Sequence, residues 1–140
     1  MRTQAKEIMS KNPLKVVVGT SIEDALRVLV NHRITGLPVV DKNDRMVGVL
    51  SEYDILLQVA KAKKSKRNIF SQPIQYSKKV FAIPETTPLE KIMDIFVKTK
   101  FRRLPIVDSS KKLVGIVTRR DLMRVFYYRA KLEAVDEVTL

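Results

Sequence analysis

The sequence has no cysteine and only one histidine among its 140 residues. The absence of cysteine excludes disulfides, thiolate chemistry and cysteine-bound zinc. No apolar run approaches the ~20 residues that a helix needs to cross a bilayer, and the opening "MRTQAKEIMS" lacks the hydrophobic stretch of a signal peptide. We therefore expect a cytoplasmic protein with no membrane partner and no metal site.

Catalytic constellations are missing as well. The chain has no P-loop and no cluster in which a histidine is paired with a carboxylate. Its one histidine, His32, falls near the expected end of a helix, where a structural role or a marginal phosphate contact is expected. The sequence therefore predicts that the protein is not an enzyme and requires no cofactor.

Acidic residues are outnumbered: 15 aspartates and glutamates stand against 27 lysines and arginines, so the net charge is +12. This charge predicts attraction to polyanions or to small anionic ligands. Two basic clusters contribute to it, and a solvated connector is the ordinary interpretation of the first. The clusters are Lys61, Lys63, Lys64, Lys66 and Arg67, and then Lys98, Lys100, Arg102 and Arg103.

The chain contains an internal repeat. A shift of 67 residues places "TSIEDALRVLVNHRITGLPVVDKNDRMVGVLSEYDIL" on "TPLEKIMDIFVKTKFRRLPIVDSSKKLVGIVTRRDLM" without a gap. Ten of these 37 pairs are identical, and another 12 exchange one apolar residue for another. We call the two halves the first copy and the second copy, and we expect them to fold alike.

Each copy predicts the same order of elements. Residues 20–23 and 87–90 have the spacing of capping boxes, with Pro88 at a first helical position, and apolar residues then recur at helical spacing. Two strands joined by a polar turn follow, and further helices begin near Glu52 and Arg119. The expected strands cover residues 15–18, 37–40 and 46–50, and then 80–83, 104–107 and 113–117.

The repeated unit is thus β-α-β-β-α, and at about 50 residues it is too short to bury a large core by itself. We therefore predict an α+β fold in which two pseudo-symmetric β-α-β-β-α motifs pack face to face as one module. The predicted divisions are 1–59 for the first motif with its lead-in, 60–79 for a basic linker, 80–126 for the second motif and 127–140 for a C-terminal helix or tail.

A hydroxyl and an acid lie three residues apart in "VGVLSEYD" and again in "VGIVTRRD". These residues are Ser51 and Asp54, and then Thr118 and Asp121. One interpretation is a helix cap, because serine and threonine suit the N-cap and aspartate suits the first turn. The other is a ligand site, because a carboxylate offers two acceptors to the vicinal hydroxyls of a ribose and a helix N-terminus favours phosphate. One residue could serve both purposes.

A glycine precedes each of these pairs by three residues, at Gly48 and Gly115. A glycine within a strand often marks a place where another backbone or a ligand comes close. The sequence does not distinguish between a backbone and a ligand at these glycines.

The order of elements, with "GLPVVD" ahead of "VGVLSEYD" and "RLPIVD" ahead of "VGIVTRRD", resembles the CBS-domain family, in which two tandem motifs form a Bateman module. The resemblance extends from residue 5 to about residue 126. It implies a stand-alone regulatory module that binds AMP, ADP, ATP or S-adenosylmethionine in clefts between the motifs. It further implies a homodimer shaped as a disc of four motifs, a role such as energy sensing, and a separate effector protein.

The resemblance also implies roles for particular residues. Ribose would be held by Ser51, Asp54, Thr118 and Asp121. Phosphate would be held by Arg102 and Arg103, with Lys100, Arg119 and Arg120 as outer candidates. The base would contact Val16, Val17, Val18, Thr35, Gly36, Leu37, Pro38, Leu104 and Pro105.

Family members commonly combine the acid of one motif with the base-contacting segment of the other. Asp54 would then work with Arg102 and Arg103. Asp121 would work with Thr35, Gly36 and Leu37. The second of these sites has no arginine before its Leu-Pro, so the two sites are expected to differ in phosphate binding. Solvated charges at the end of a helix are the alternative interpretation of Arg102 and Arg103.

A nucleic-acid-binding protein is the alternative function, suggested by the net charge and by "KAKKSKR". Such a protein would interleave exposed aromatic residues with basic ones. The aromatic candidates are scattered, and no known nucleic-acid motif is present. They are Phe70, Tyr76, Tyr127 and Tyr128.

Overall fold

The computed structural model describes residues 3–62 and 68–139. Its elements are α1 (Ala5–Ile8), β1 (Ser10–Lys11), β2 (Val16–Val17), α2 (Ile22–His32), β3 (Gly36–Val40), β4 (Met46–Ser51), α3 (Glu52–Lys61), β5 (Ile83–Pro84), α4 (Leu89–Lys98), β6 (Arg103–Val107), β7 (Leu113–Thr118) and α5 (Arg119–Thr139). The predicted β-α-β-β-α order is confirmed in both copies, and the fold is α+β. Most of the first basic cluster (Lys63, Lys64, Lys66 and Arg67) lies outside the described residues.

The first-copy unit is the compact body formed by the described residues 14–62 and 68–81 together with Ser109–Leu113. Its sheet has the order β2-β3-β4, with β2 parallel to β3 and β3 antiparallel to β4. Apolar residues at helical spacing on α2 and α3 cover the sheet and exclude water from it. The buried core consists of Val16, Ile22, Ala25, Leu29, Leu37, Val39, Leu50, Ile55 and Ile74.

The second-copy unit is formed by residues 3–13, Ala82–Asp108 and residues 114–139. Its sheet has the order β1-β7-β6-β5, with β5 parallel to β6 and β1 antiparallel to β7. Its core is built like that of the first copy. The buried residues are Ala5, Ile83, Leu89, Ile92, Phe96, Leu104, Ile106, Val117 and Leu122.

The segment that precedes each copy in the sequence packs in the unit built by the other copy. Ser10 of β1 pairs antiparallel with Ile116 of β7. At the matching place, Ser77 pairs antiparallel with Val49 of β4, through N–H···O distances of 2.9 and 3.0 Å. The motif boundaries predicted from the sequence remain a prediction. The compact units have other boundaries, because each unit includes the segment that precedes the other copy in the sequence.

Residues 68–81, which belong to the predicted linker, contribute to the core of the first-copy unit. They form a loop with a single 3-10 turn at Ile69–Ser71, and Ile74 is buried. The buried side chain of Gln58 fixes this loop: its Nε2 donates to the carbonyl of Pro73 and its Oε1 accepts from the N–H of Gln75, both at 2.9 Å. The amide therefore satisfies two backbone groups that no strand pairs.

The two predicted capping boxes at residues 20–23 and 87–90 are wrong. Ser21 is the N-cap of α2, where its Oγ accepts from the N–H of Asp24, and Pro88 is the N-cap of α4 rather than its first residue. The threonine hydroxyls instead donate to strand carbonyls three residues earlier: Thr20 to Val17 at 2.6 Å and Thr87 to Pro84 at 2.7 Å. Each threonine closes the turn between strand and helix, so its oxygen faces away from the cap.

The last helix, α5, has 21 residues and continues beyond the second motif, as the sequence indicated. The guanidinium of Arg129 donates to Oγ1 of Thr3 at 3.1 Å, which ties this helix to the N-terminal segment of the same unit. Within residues 3–62 and 68–139, no helix is both long enough and apolar enough to cross a membrane.

Candidate functional site

The paired hydroxyl and acid of each copy lie where a strand passes directly into a helix. β4 ends at Ser51 and α3 begins at Glu52; likewise β7 ends at Thr118 and α5 begins at Arg119. Ser51 has extended backbone angles, with φ at −116° and ψ at 164°, which suits an N-cap. No loop separates the two elements, so the first N–H groups of the helix are placed at the end of the sheet.

In the first copy, Ser51 and Asp54 form a reciprocal capping box. Oδ2 of Asp54 accepts from the N–H of Ser51 at 2.8 Å and from its Oγ at 2.9 Å, and the N–H of Asp54 donates to Oγ of Ser51 at 3.2 Å. The cap interpretation is therefore confirmed. Asp54 is half-buried, and its second oxygen, Oδ1, has no partner among the described residues. One carboxylate oxygen caps the helix, and the other accepts no hydrogen bond from the described residues.

The second copy repeats this geometry closely. Oδ2 of Asp121 accepts from the N–H of Thr118 at 2.7 Å and from its Oγ1 at 3.0 Å, and the N–H of Asp121 donates back to Oγ1 at 3.2 Å. The remaining oxygen differs. Oδ1 of Asp121 accepts from NH1 of Arg124 at 3.1 Å, and the Asp121 side chain is only 6% exposed.

The glycine before each hydroxyl-acid pair lies in close contact with another segment of the chain. A Cβ at Gly48 would collide with the carbonyl of Ser77 and the ring of Tyr76, and a Cβ at Gly115 would collide with the side chain of Met9. The sequence allowed either a backbone or a ligand to approach these glycines. In the structure, another segment of the chain does so. Each glycine lets the exchanged lead-in segment pair with the strand.

The segment before each Leu-Pro lies beside the hydroxyl-acid pair of its own copy. Gly36 is opposite Ser51 in the β3–β4 ladder, and the carbonyl of Thr35 accepts from the N–H of Glu52 at 3.0 Å. In the second copy, the carbonyl of Arg102 accepts from the N–H of Arg119 at 3.2 Å. The expected pairing of Asp54 with Arg102 and Arg103 joins residues of two different units, and it stays a prediction.

The phosphate candidates differ in how firmly they are held. Arg119 donates through Nε to the carbonyl of Phe101 at 2.9 Å and through NH2 to that of Thr99 at 3.3 Å, and it lies 6.0 Å from the centre of the Phe96 ring. These bonds hold the loop before β6 and use two of the five N–H donors of the guanidinium, so a phosphate contact by Arg119 stays a prediction. All five candidates are exposed, namely Lys100, Arg102, Arg103, Arg119 and Arg120.

The base candidates separate into buried and exposed groups. The side chains of Val16, Leu37 and Leu104 belong to the cores of their units, and Pro38 is buried as well. Any contact of these four with a base would therefore be made by the backbone. The remaining candidates are at least partly exposed, namely Val17, Val18, Thr35, Gly36 and Pro105.

Sequence reasoning missed Arg124, the residue that occupies the second oxygen of Asp121. The signal was present, since Arg124 follows Asp121 by three residues and side chains at that spacing meet on one face of a helix. The matching residue in the first copy is Leu57, which carries no donor.

Metal ligation finds no support in the described ranges, where no group of three or more histidine, aspartate or glutamate side chains is placed to hold an ion.

Comparison with known proteins gives related sequences and folds. A family model described as "CBS domain" matches residues 5–61 and 74–128. The CBS domain-containing protein CBSX2, chloroplastic, of Arabidopsis thaliana is 35% identical over 130 residues, which cover 75% of this chain and 55% of that protein. The chain thus spans about half the length of this curated relative.

Two solved structures share the fold. The crystal structure of CBSX2 in complex with AMP has a TM-score of 0.74 and 34% identity, and the match covers 91% of this chain and 98% of that one. The CBS domain pair of protein MJ0100, in complex with 5′-methylthioadenosine and S-adenosyl-L-methionine, has a TM-score of 0.67 and 29% identity, with 92% and 99% covered.

Proposed function

Because the chain belongs to the CBS-domain family, we propose that it is a regulatory module that binds an adenosine-containing ligand at its hydroxyl-acid helix starts. The observation that carries this proposal is the duplicated geometry of Ser51 with Asp54 and of Thr118 with Asp121, in which Asp54 keeps one oxygen free among the described residues. Support also comes from two relatives whose structures contain AMP, or 5′-methylthioadenosine with S-adenosyl-L-methionine.

The chemistry of each helix start suits the parts of such a ligand. A carboxylate oxygen accepts hydrogen bonds from ribose hydroxyls, and these bonds are strong because the acceptor is charged. The N-terminus of a 10-residue helix such as α3 adds N–H donors and a positive dipole end. The exposed Val17 and Val18 offer an apolar surface for a base.

Phosphate would be bound by the exposed Arg102 and Arg103, with Lys100, Arg119 and Arg120 as outer candidates. Their number and the net charge of +12 favour ligands with one or more phosphates, although S-adenosylmethionine carries none. The pairing of Asp54 with Arg102 and Arg103 is part of this proposal. Replacement of both arginines by alanine should weaken AMP and leave 5′-methylthioadenosine unaffected, since only the former carries phosphate.

Thermal stabilisation tests the proposal. A ligand at 100 times its dissociation constant adds about 2.7 kcal/mol to the stability of the folded state, which raises the Tm of a domain of this size by several degrees. AMP, ADP, ATP and S-adenosylmethionine should be compared on the wild type, Asp54→Asn, Asp121→Asn and the control Asp94→Asn, whose exposed carboxylate pairs with Lys98. A Tm that none of the four ligands shifts would contradict the proposal.

Regulation requires that ligand binding change an equilibrium between two states of the module or of its contacts. We propose that the protein forms a homodimer and that ligand binding acts on this dimer, because exposed apolar side chains line the helices of both units. Val30 and Leu56 are each 69% exposed beside a groove of about 520 Å³ on the first-copy unit, and Val97 is 78% exposed on the second-copy unit. A second copy of the chain would cover these faces, and light scattering would reveal it.

The remaining parts of the proposal follow from the same role. The protein would act without catalysis, pass its signal to a separate effector protein and, where AMP and ATP compete for the site, report the energy state of the cell. The absence of cysteine is compatible with a reducing compartment such as the cytoplasm.

Nucleic-acid binding is a second candidate, favoured by one feature of α5. The exposed rings of Tyr127 and Tyr128 are 5.5 Å apart, and Nζ of Lys131 lies 5.2 Å from the centre of the Tyr127 ring, so aromatic and basic groups alternate there. Binding of a single-stranded oligonucleotide that falls steeply with salt, persists in Asp54→Asn and is lost in Tyr127→Ala would support it.

A further inference from the structure

The three hydrogen bonds between the hydroxyl residue and the acid are the same at both helix starts. The second copy has a fourth hydrogen bond, from Arg124 to Asp121. We propose that Arg124 closes the second-copy half-site, so that a ribose binds first and more tightly at Asp54 than at Asp121. This inference rests on the proposed function, and it assigns Arg124 as the residue that makes the two half-sites unequal.

In the second copy, both oxygens of the acid are occupied. Oδ2 of Asp121 accepts from the N–H and Oγ1 of Thr118, and Oδ1 accepts from NH1 of Arg124 at 3.1 Å. The Asp121 side chain is 6% exposed while that of Arg124 is 58% exposed. A ribose hydroxyl that binds Oδ1 of Asp121 must therefore share this oxygen with the guanidinium of Arg124 or displace it.

In the first copy, the matching position carries no such group. Leu57 stands where the second copy has Arg124, and an aliphatic side chain has no hydrogen to donate to Oδ1 of Asp54. Asp54 is half-buried, and Oδ1 has no partner in the described part of the chain. The cap bonds to Ser51 hold the carboxylate in place through its other oxygen, so Oδ1 is held in a fixed orientation and accepts no hydrogen bond from the described residues.

The expected size of the difference follows from the bond between Arg124 and Asp121, with which the ribose competes. A hydrogen bond between a guanidinium and a largely buried carboxylate is stronger than one between exposed groups. Its replacement by ribose hydroxyls should reduce the affinity of the second half-site roughly tenfold relative to that of the first.

The exchange of the two residues provides the test. Calorimetric titration should be carried out with AMP and with 5′-methylthioadenosine on the wild type, Arg124→Leu, Leu57→Arg and Arg129→Leu. The last variant removes one positive charge from the same helix at a residue that contacts Thr3 and not Asp121. The wild type should show one tight and one weak site, Arg124→Leu should tighten the weak site about tenfold, and Leu57→Arg should weaken the tight one.

Three results would overturn the inference. Two equal sites in the wild type would show that Arg124 imposes no difference. Weaker binding of AMP by Arg124→Leu, with no change for 5′-methylthioadenosine, would show that Arg124 binds phosphate instead. Failure of all four proteins to bind either compound would overturn the proposed function itself, and it is distinguishable because the first two results both require binding.

Discussion

Oδ2 of Asp54 accepts two hydrogen bonds from Ser51, one from its N–H at 2.8 Å and one from its Oγ at 2.9 Å. Capping and ligand binding are therefore compatible at this position, because the cap uses one carboxylate oxygen and leaves the other. The same bonds fix the orientation of the free oxygen, so the stability of the helix start and the affinity for ligand should be linked.

Replacement of Ser51 by alanine tests that link. The variant loses the hydroxyl that caps α3, so the free energy of unfolding should fall by about 1 kcal/mol, and AMP affinity should fall as well because Asp54 loses one of its two positioning bonds. Ser21→Ala is the matched control, since Ser21 caps α2 in the same unit without contacting Asp54. Urea denaturation and calorimetric titration would measure both effects. Equal loss of AMP affinity in the two variants would show that the link is only through stability.

The glycines at the exchanged segments should tolerate alanine unequally. At Gly48 an added Cβ meets the backbone carbonyl of Ser77, whereas at Gly115 it meets chiefly the flexible side chain of Met9. Gly48→Ala should therefore lower the free energy of unfolding by about 1–3 kcal/mol, and Gly115→Ala by less. Equilibrium denaturation compares them directly, and a larger loss for Gly115→Ala would contradict the packing described.

Gln58 should contribute more to stability than an exposed glutamine nearby. Gln58→Leu removes the hydrogen-bond partners of the Pro73 carbonyl and of the Gln75 N–H. Both bonds are partly buried, so the free energy of unfolding should fall by about 1 kcal/mol or more. Gln75→Leu is the control, because its side chain is exposed and its N–H bond is retained. Similar unfolding midpoints in urea for the two variants would mean that the loop does not depend on Gln58.

The threonine turn predicts which residue near α4 matters for stability. Thr87 is 6% exposed and its hydroxyl donates to the carbonyl of Pro84, so Thr87→Val should lower the free energy of unfolding by roughly 1 kcal/mol. Glu90 makes no capping-box contact, so Glu90→Ala should change the free energy of unfolding by less than about 0.5 kcal/mol. A loss in Glu90→Ala as large as in Thr87→Val would show that Glu90 does form a capping box and would contradict the structure.

The repeat made most of the local fold predictable. The same helical and strand periodicity recurs in both copies, and the strand-to-helix junctions at Ser51 and Thr118 fall where the spacing predicts them. The N-cap residue of α2 could not be predicted from the sequence, because Thr20 and Ser21 are neighbours and the hydroxyl of either one could cap a helix. Only the backbone angles decide which one faces the helix.

The exchange of lead-in segments could not be predicted from the repeat alone. A shift of 67 residues relates Ser10 to Ser77 without showing which sheet each one joins. Gly48 and Gly115 indicated a close approach but did not distinguish a backbone from a ligand. The contact between Arg124 and Asp121 was visible only as a helical spacing, and many such spacings carry no ion pair.

Titration with AMP of the wild type and of an Asp54→Asn, Asp121→Asn double variant tests the central claim most directly. Asparagine retains an oxygen that can accept from the N–H of Ser51 or Thr118, so the fold should persist while the charged acceptors are lost. The affinity for AMP should fall about 10- to 100-fold in the double variant, and Asp94→Asn should bind as the wild type does. Unchanged affinity in a folded double variant would contradict the assignment of these acids to the ligand.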